Sequence, residues 1–69
     1  MKAAEALAGK WYRTRTGKGV YIYPISKAPK ACGKTKEGYR PYMAKINDRN
    51  GDRFFHGQLP NDYLLFDLS

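Results

Sequence analysis

The sequence predicts a mainly β chain: a small five-stranded antiparallel barrel with a short N-terminal helical turn. Three observations carry that expectation. Aromatic and β-branched runs recur at short intervals after residue 9, Gly, Pro and Asn punctuate them, and all connections but one are short. At 69 residues the chain makes one domain at most. A domain of this size buries only about 60% of the surface its unfolded chain exposes, so its core is small.

The elements follow in order. Residues 2–8 are rich in Ala, Glu and Leu. Isolated helices below roughly 12 residues are weak in water, so 1–9 reads as a helical turn or a flexible arm. Residues 10–69 then form a single small β-barrel domain, with strands expected near 10–16, 19–25, 39–47, 52–59 and 63–68. In "TGKGV" a three-residue loop, Gly17-Lys18-Gly19 with Gly19 left-handed, suits a type I turn plus bulge. It sets Thr16 opposite Val20, Arg15 opposite Tyr21 and Arg13 opposite Tyr23. One face then carries Trp11, Arg13, Arg15, Tyr21 and Tyr23, and the other Tyr12, Thr14, Thr16, Val20 and Ile22. Trp11, at the start of its strand near the helical turn, is expected to reach the core.

A basic loop at 26–38, "SKAPKACGKTKEG", leads to the second hairpin. Asn50-Gly51 is the preferred type I′ pair, because both central positions need positive φ. That turn sets Ile46 opposite Phe55, Ala44 opposite Gly57, Tyr42 opposite Leu59, and His56 opposite Lys45. Tyr42, Ala44, Ile46, Phe55 and Leu59 face inward; Lys45, Asn47, Phe54, His56 and Gln58 face outward. After the Pro60-Asn61-Asp62 turn, Leu64, Phe66 and Leu68 are expected inward. Phe54, Tyr63 and Leu65 are left outward as candidates for a protein interface. Five short strands favour an SH3-like barrel, with an OB-like barrel as second choice. Closure removes exposed edges; an edge left open would be a place for two copies to pair as a homodimer.

Thirteen Lys and Arg against six Asp and Glu give +7. The charge is uneven. Lys10 to Lys45 holds ten basic residues and one acid, Glu37, whereas 46–69 holds two basic residues and four acids. Within "KWYRTRTGKGVYIYP", four basic side chains interleave with four aromatic ones. Phosphates attract the cations, and exposed rings give unpaired bases a platform to stack on. The candidate nucleic-acid contacts are therefore Arg13, Arg15, Lys18, Tyr21 and Tyr23, with Lys27, Lys30, Lys34, Lys36 and Arg40 following a phosphate backbone.

Other chemistry finds little support. "ACGKT" imitates the end of a phosphate-binding loop, but Ala28 stands where the pattern needs Gly, and Pro29 precedes it. Cys32 and His56 are each the only residue of their type, too few for a four-ligand zinc site. A single Cys also precludes an internal disulfide, which a secreted domain this small usually needs. No run approaches the ~20 apolar residues of a membrane span. The chain therefore reads as cytoplasmic and non-enzymatic, with no catalytic residues, no cofactor, no metal and no membrane partner. The leading functional expectation is nucleic-acid binding, RNA or single-stranded DNA before duplex. The alternative is a protein-binding adaptor or inhibitor of phage or mobile-element type that engages an acidic host protein.

Overall fold

The computed structural model describes residues 1–68, and Asp48 by its backbone. Its centre is one antiparallel sheet of four strands in sequential order: β1 (Trp11–Arg13), β2 (Gly19–Ile22), β3 (Tyr39–Asp48) and β4 (Gly51–Pro60). Four of the five expected strands are therefore present. The fifth is not. Residues 63–68 form only isolated bridges, Leu64 with Lys2 and Phe66 with Arg13, and the sheet does not close into a barrel. The reason is the shortness of β1, which ends at Arg13 before the chain turns into the hairpin loop, so the segment meets it at one residue while its other side pairs with the N-terminus. Leu65 exchanges backbone bonds with Met1, its N–H donating to the Met1 carbonyl and its carbonyl accepting from the terminal amine, each at 2.7 Å. Only Phe66 is left to pair with Arg13, the last residue of β1.

The N-terminal segment is anchored rather than a flexible arm. Ala3–Glu5 forms one 3₁₀ turn, and its amides reach the strand-terminal turn: Ala3 donates to the Tyr63 carbonyl at 2.7 Å and Ala4 to that of Asn61 at 3.0 Å. Arg40 on β3 completes the seal. Its guanidinium donates to the carbonyls of Ala3 and Ala6, both at 3.1 Å, and more distantly to Ala4. Ala3 and Ala6 lie beneath it in the core with Tyr12, Val20, Ile22, Leu59 and Leu65, and Tyr42 and Ala44 pack alongside.

Both hairpins keep the expected facing but change register. The first has the expected turn type two residues earlier. Its loop is Arg15-Thr16-Gly17, closed by Thr14 N–H to the Lys18 carbonyl and Gly17 N–H to the Thr14 carbonyl, both at 2.9 Å. Gly17, not Gly19, takes the left-handed conformation, with φ of 85°. The buried Thr14 hydroxyl fixes this choice by accepting from Lys18 N–H at 3.2 Å. Trp11 consequently opposes Tyr21, Tyr12 opposes Val20, and Arg15 leaves the ladder.

In the second hairpin Asp48 pairs with Gly51, so Arg49-Asn50 form the loop and Gly51 is left-handed at φ of 100°. Among the described residues no non-glycine has positive φ, so Asn50 does not make the type I′ turn. The ladder slips by two: Tyr42 opposes Gly57, Ala44 opposes Phe55, and Met43 rather than Lys45 opposes His56. A slip of two keeps side chains on their expected faces, whereas a slip of one would have exchanged them. Yet Ile46 and Phe55, expected inward, lie beyond the core on that face and are 37% and 53% exposed.

The C-terminal segment departs in phase. Leu65, expected outward, is fully buried, while Leu64 and Leu68, expected inward, are 49% and 59% exposed. Pairing with Met1, not strand alternation, orients Leu65. Leu65→Ala is therefore expected to cost about 2–5 kcal/mol, the range for emptying a core leucine site. Leu64→Ala should stay within about 0.5 kcal/mol, as surface changes do. Urea denaturation of the two variants compares them directly; equal losses would mean the phase is wrong.

Candidate nucleic-acid interface

The face of the sheet turned away from the core carries a continuous row of rings. Trp11 and Tyr21, directly paired across β1 and β2, lie 5.5 Å apart by centroid at 58°. Tyr21 and Tyr23, two positions apart and so on one face, meet edge to face at 5.1 Å and 76°. Tyr23 reaches across β3, its hydroxyl donating to Met43 Sδ at 3.5 Å, and stacks over His56 of β4 at 6.2 Å and 17°. All four rings are half-buried, packed against one another with the remaining surface in solvent. Trp11 thus belongs to this row rather than to the core. Gly19 lies beside it, where a Cβ would make ordinary van der Waals contact with the indole at 3.6 Å.

Lysines border the row. Lys18 and Lys45 line a shallow depression with Trp11 and Asn47; Lys10 lines another with Trp11, Asp67 and Leu68, its ammonium 5.3 Å over the ring of the core residue Tyr12. Lys45 lies 3.2 Å from Asp52, and Lys10 lies 3.7 Å from Asp67. Both pairs are exposed, and such pairs contribute only about 0–1 kcal/mol, so neither carboxylate holds its lysine strongly. The signal for Lys45 and His56 lay in strand alternation, which put both outward.

The arginines are not gathered there. Arg13 is half-buried; its guanidinium stacks over Phe66 at 5.1 Å and Nε donates to the Asp67 carbonyl at 3.0 Å. Arg15 lies in the hairpin loop and borders a separate depression with Thr16, Tyr63 and Leu64. Arg40 is held by the N-terminal carbonyls. The single cluster of arginines and tyrosines expected from the first register does not form, because that register placed Arg15 opposite Tyr21.

The long loop carries exposed Lys27, Lys30, Lys34 and Lys36, and it is held to the sheet. Two 3₁₀ turns, Ile25–Lys27 and Lys30–Cys32, shape it. Gln58 on β4 clamps it, donating to the carbonyls of Cys32 at 3.1 Å and Lys34 at 2.8 Å and accepting from Lys36 N–H at 2.9 Å. Cys32 is buried with Sγ directed at the Tyr42 carbonyl, 3.5 Å away. Gly33 ends the second 3₁₀ turn and no helix follows, so "ACGKT" lacks the geometry of a phosphate-binding loop.

Of the three protein-interface candidates, Phe54 and Tyr63 are exposed at 52% and 40%, and Leu65 is core. Among the described residues no three His, Cys, Asp or Glu side chains group as a metal site, and no helix is long and apolar enough to cross a membrane. No protein-family model matches the chain, and neither curated proteins nor solved structures give a match.

Burial raises the Tyr23 phenol above the ordinary value of 10.0, helped by nearby Cys32 and Tyr21. Burial raises Tyr42 likewise, helped by Tyr63 and Cys32. In both, folding favours the neutral phenol. Their stability contribution is complete below pH ~10, where the unfolded chain's tyrosines are also neutral, and is lost as pH rises through the folded values. Urea midpoints should fall above pH ~10, less steeply in a Tyr23→Phe/Tyr42→Phe variant. An unchanged slope in that variant would contradict the assignment.

Proposed function

We propose that this chain is a non-enzymatic module that binds RNA or single-stranded DNA across the outer face of its sheet. The observation that supports this reading is the row Trp11–Tyr21–Tyr23–His56, half open to solvent and bordered by Lys10, Lys18 and Lys45. Tilted rings do not all offer a free face. Bases stack on the faces left open, and sugars pack along the ring edges. The lysines capture the backbone by charge and counterion release, and Lys27, Lys30, Lys34 and Lys36 extend that capture along the clamped loop. Single strands are preferred because rings serve recognition chiefly where bases are unstacked. Arg13 retains guanidinium N–H groups for phosphate, whereas Arg40 is committed to the fold.

Fluorescence anisotropy with single- and double-stranded RNA and DNA across a salt series tests the proposal. Neutralising about 4–6 phosphates of a single strand gives log K against log salt a slope of about −3 to −4. Tyr21→Ala is expected to weaken binding by about 1–3 kcal/mol, the contribution of one stacked base. A flat salt response, or no retention of any oligonucleotide at low salt, would falsify the proposal.

A second reading, a protein-binding adaptor, is favoured by the opposite face. There Val20, Tyr42, Ala44, Ile46, Phe55 and Tyr63 help to line an apolar groove of about 300 Å³. Partners that survive nuclease treatment in a pull-down would support it; loss of all partners would count against it.

A further inference from the structure

The free edge of β4 supports a reading independent of the ring face. In the β2–β3 ladder Tyr23 N–H donates to the Pro41 carbonyl at 3.0 Å. Backbone groups alternate sides along a strand, so odd-numbered residues of β3 face β2 and even-numbered ones face β4. The pairs Tyr42–Gly57 and Ala44–Phe55 then commit the odd-numbered residues of β4 to β3. The N–H and C=O groups of Asp52, Phe54, His56 and Gln58 are left pointing away from the sheet. No further strand lies on that side, since β4 ends the order, whereas the β1 edge is met by Phe66. A ten-residue edge with unpaired backbone groups is a template for another strand.

We infer that β4 pairs antiparallel with β4 of a second copy, with the twofold axis at Phe54. Three features select this occupant and this register. Gln58 carries the clamped loop, which closes that end of the edge and leaves Gly51–Gly57, whose midpoint is Phe54. Backbone groups that point outward must meet others that point outward, and Phe54 opposite Phe54 of the second copy satisfies this along the whole segment. The side chains are then self-complementary. On one face Phe54 meets its symmetry mate and Asp52 comes opposite His56; on the other, Arg53 comes opposite Phe55. Phe54 and Phe55 are 52% and 53% exposed and gain cover from both sides of the extended sheet. Charge also permits a second copy here. On a chain of +7, residues 51–60 carry one acid, Asp52, and one base, Arg53, so the strand itself has no net charge.

Sedimentation equilibrium of the full chain over a concentration series tests this. The expected result is a concentration-dependent shift to twice the chain mass, lost in Phe54→Lys, which sets like charges together at the axis. Far-ultraviolet circular dichroism of that variant should match the native chain. A second variant fixes the register. Phe54→Cys in a Cys32→Ser background should cross-link to itself on mild oxidation, because opposed residues of a bonded pair lie about 5.5 Å apart, within disulfide reach. A chain monomeric at every concentration overturns the proposal. So does a dimer that persists in Phe54→Lys or that fails to cross-link through Phe54→Cys.

Discussion

Sixty-nine residues cannot cover both faces of a four-stranded sheet, and the rest of the molecule follows from that shortage. One face takes nearly the whole apolar complement: Tyr12, Val20, Ile22 and Leu59 from the strands, with Ala3, Ala6 and Leu65 from the two terminal segments. The sheet is too short at β1 to close on itself. The termini therefore seal the core, and Arg40 holds the N-terminal segment by donating to the carbonyls of Ala3 and Ala6. A guanidinium spent in this way is unavailable to a ligand. This half-buried cation of the basic segment is thus structural.

On the other face the clamped loop covers the Gln58 end and buries Cys32, and elsewhere the side chains must cover one another. Rings suit that task because each contributes a large contact area with few rotatable bonds. Trp11, Tyr21, Tyr23 and His56 pack in sequence across all four strands while leaving part of each ring in water. Under the proposed function, structural and binding roles share the same residues. The interleaving of Lys and Arg with Trp and Tyr also has a structural reason: bare rings on an open face would invite aggregation, and cations beside them oppose it.

Strand parity was legible in the sequence; register and closure were not. Alternation alone placed Tyr12, Val20 and Ile22 inside and Trp11's neighbours Tyr21 and Tyr23 outside, because a period of two survives any even slip. Register depended on which glycine turned left-handed. "TGKG" offers two, and the Thr14 hydroxyl favours the first by accepting from Lys18 N–H. Contacts between distant segments left no local signature. Nothing near Gln58 announces that it clamps a loop more than twenty residues earlier, and nothing near Leu65 announces that Met1 sets its phase. Alternation put Lys45 outward, but its place beside Trp11 depends on the true register.

Trp11 is the chain's one tryptophan, so its emission reports on the ring row without labelling. Titrating the chain with a single-stranded oligonucleotide at low salt should quench that emission as bases stack on the indole, and added salt should restore it. An oligonucleotide that binds while leaving Trp11 emission unchanged would place the contact elsewhere and contradict the role assigned to the outer face.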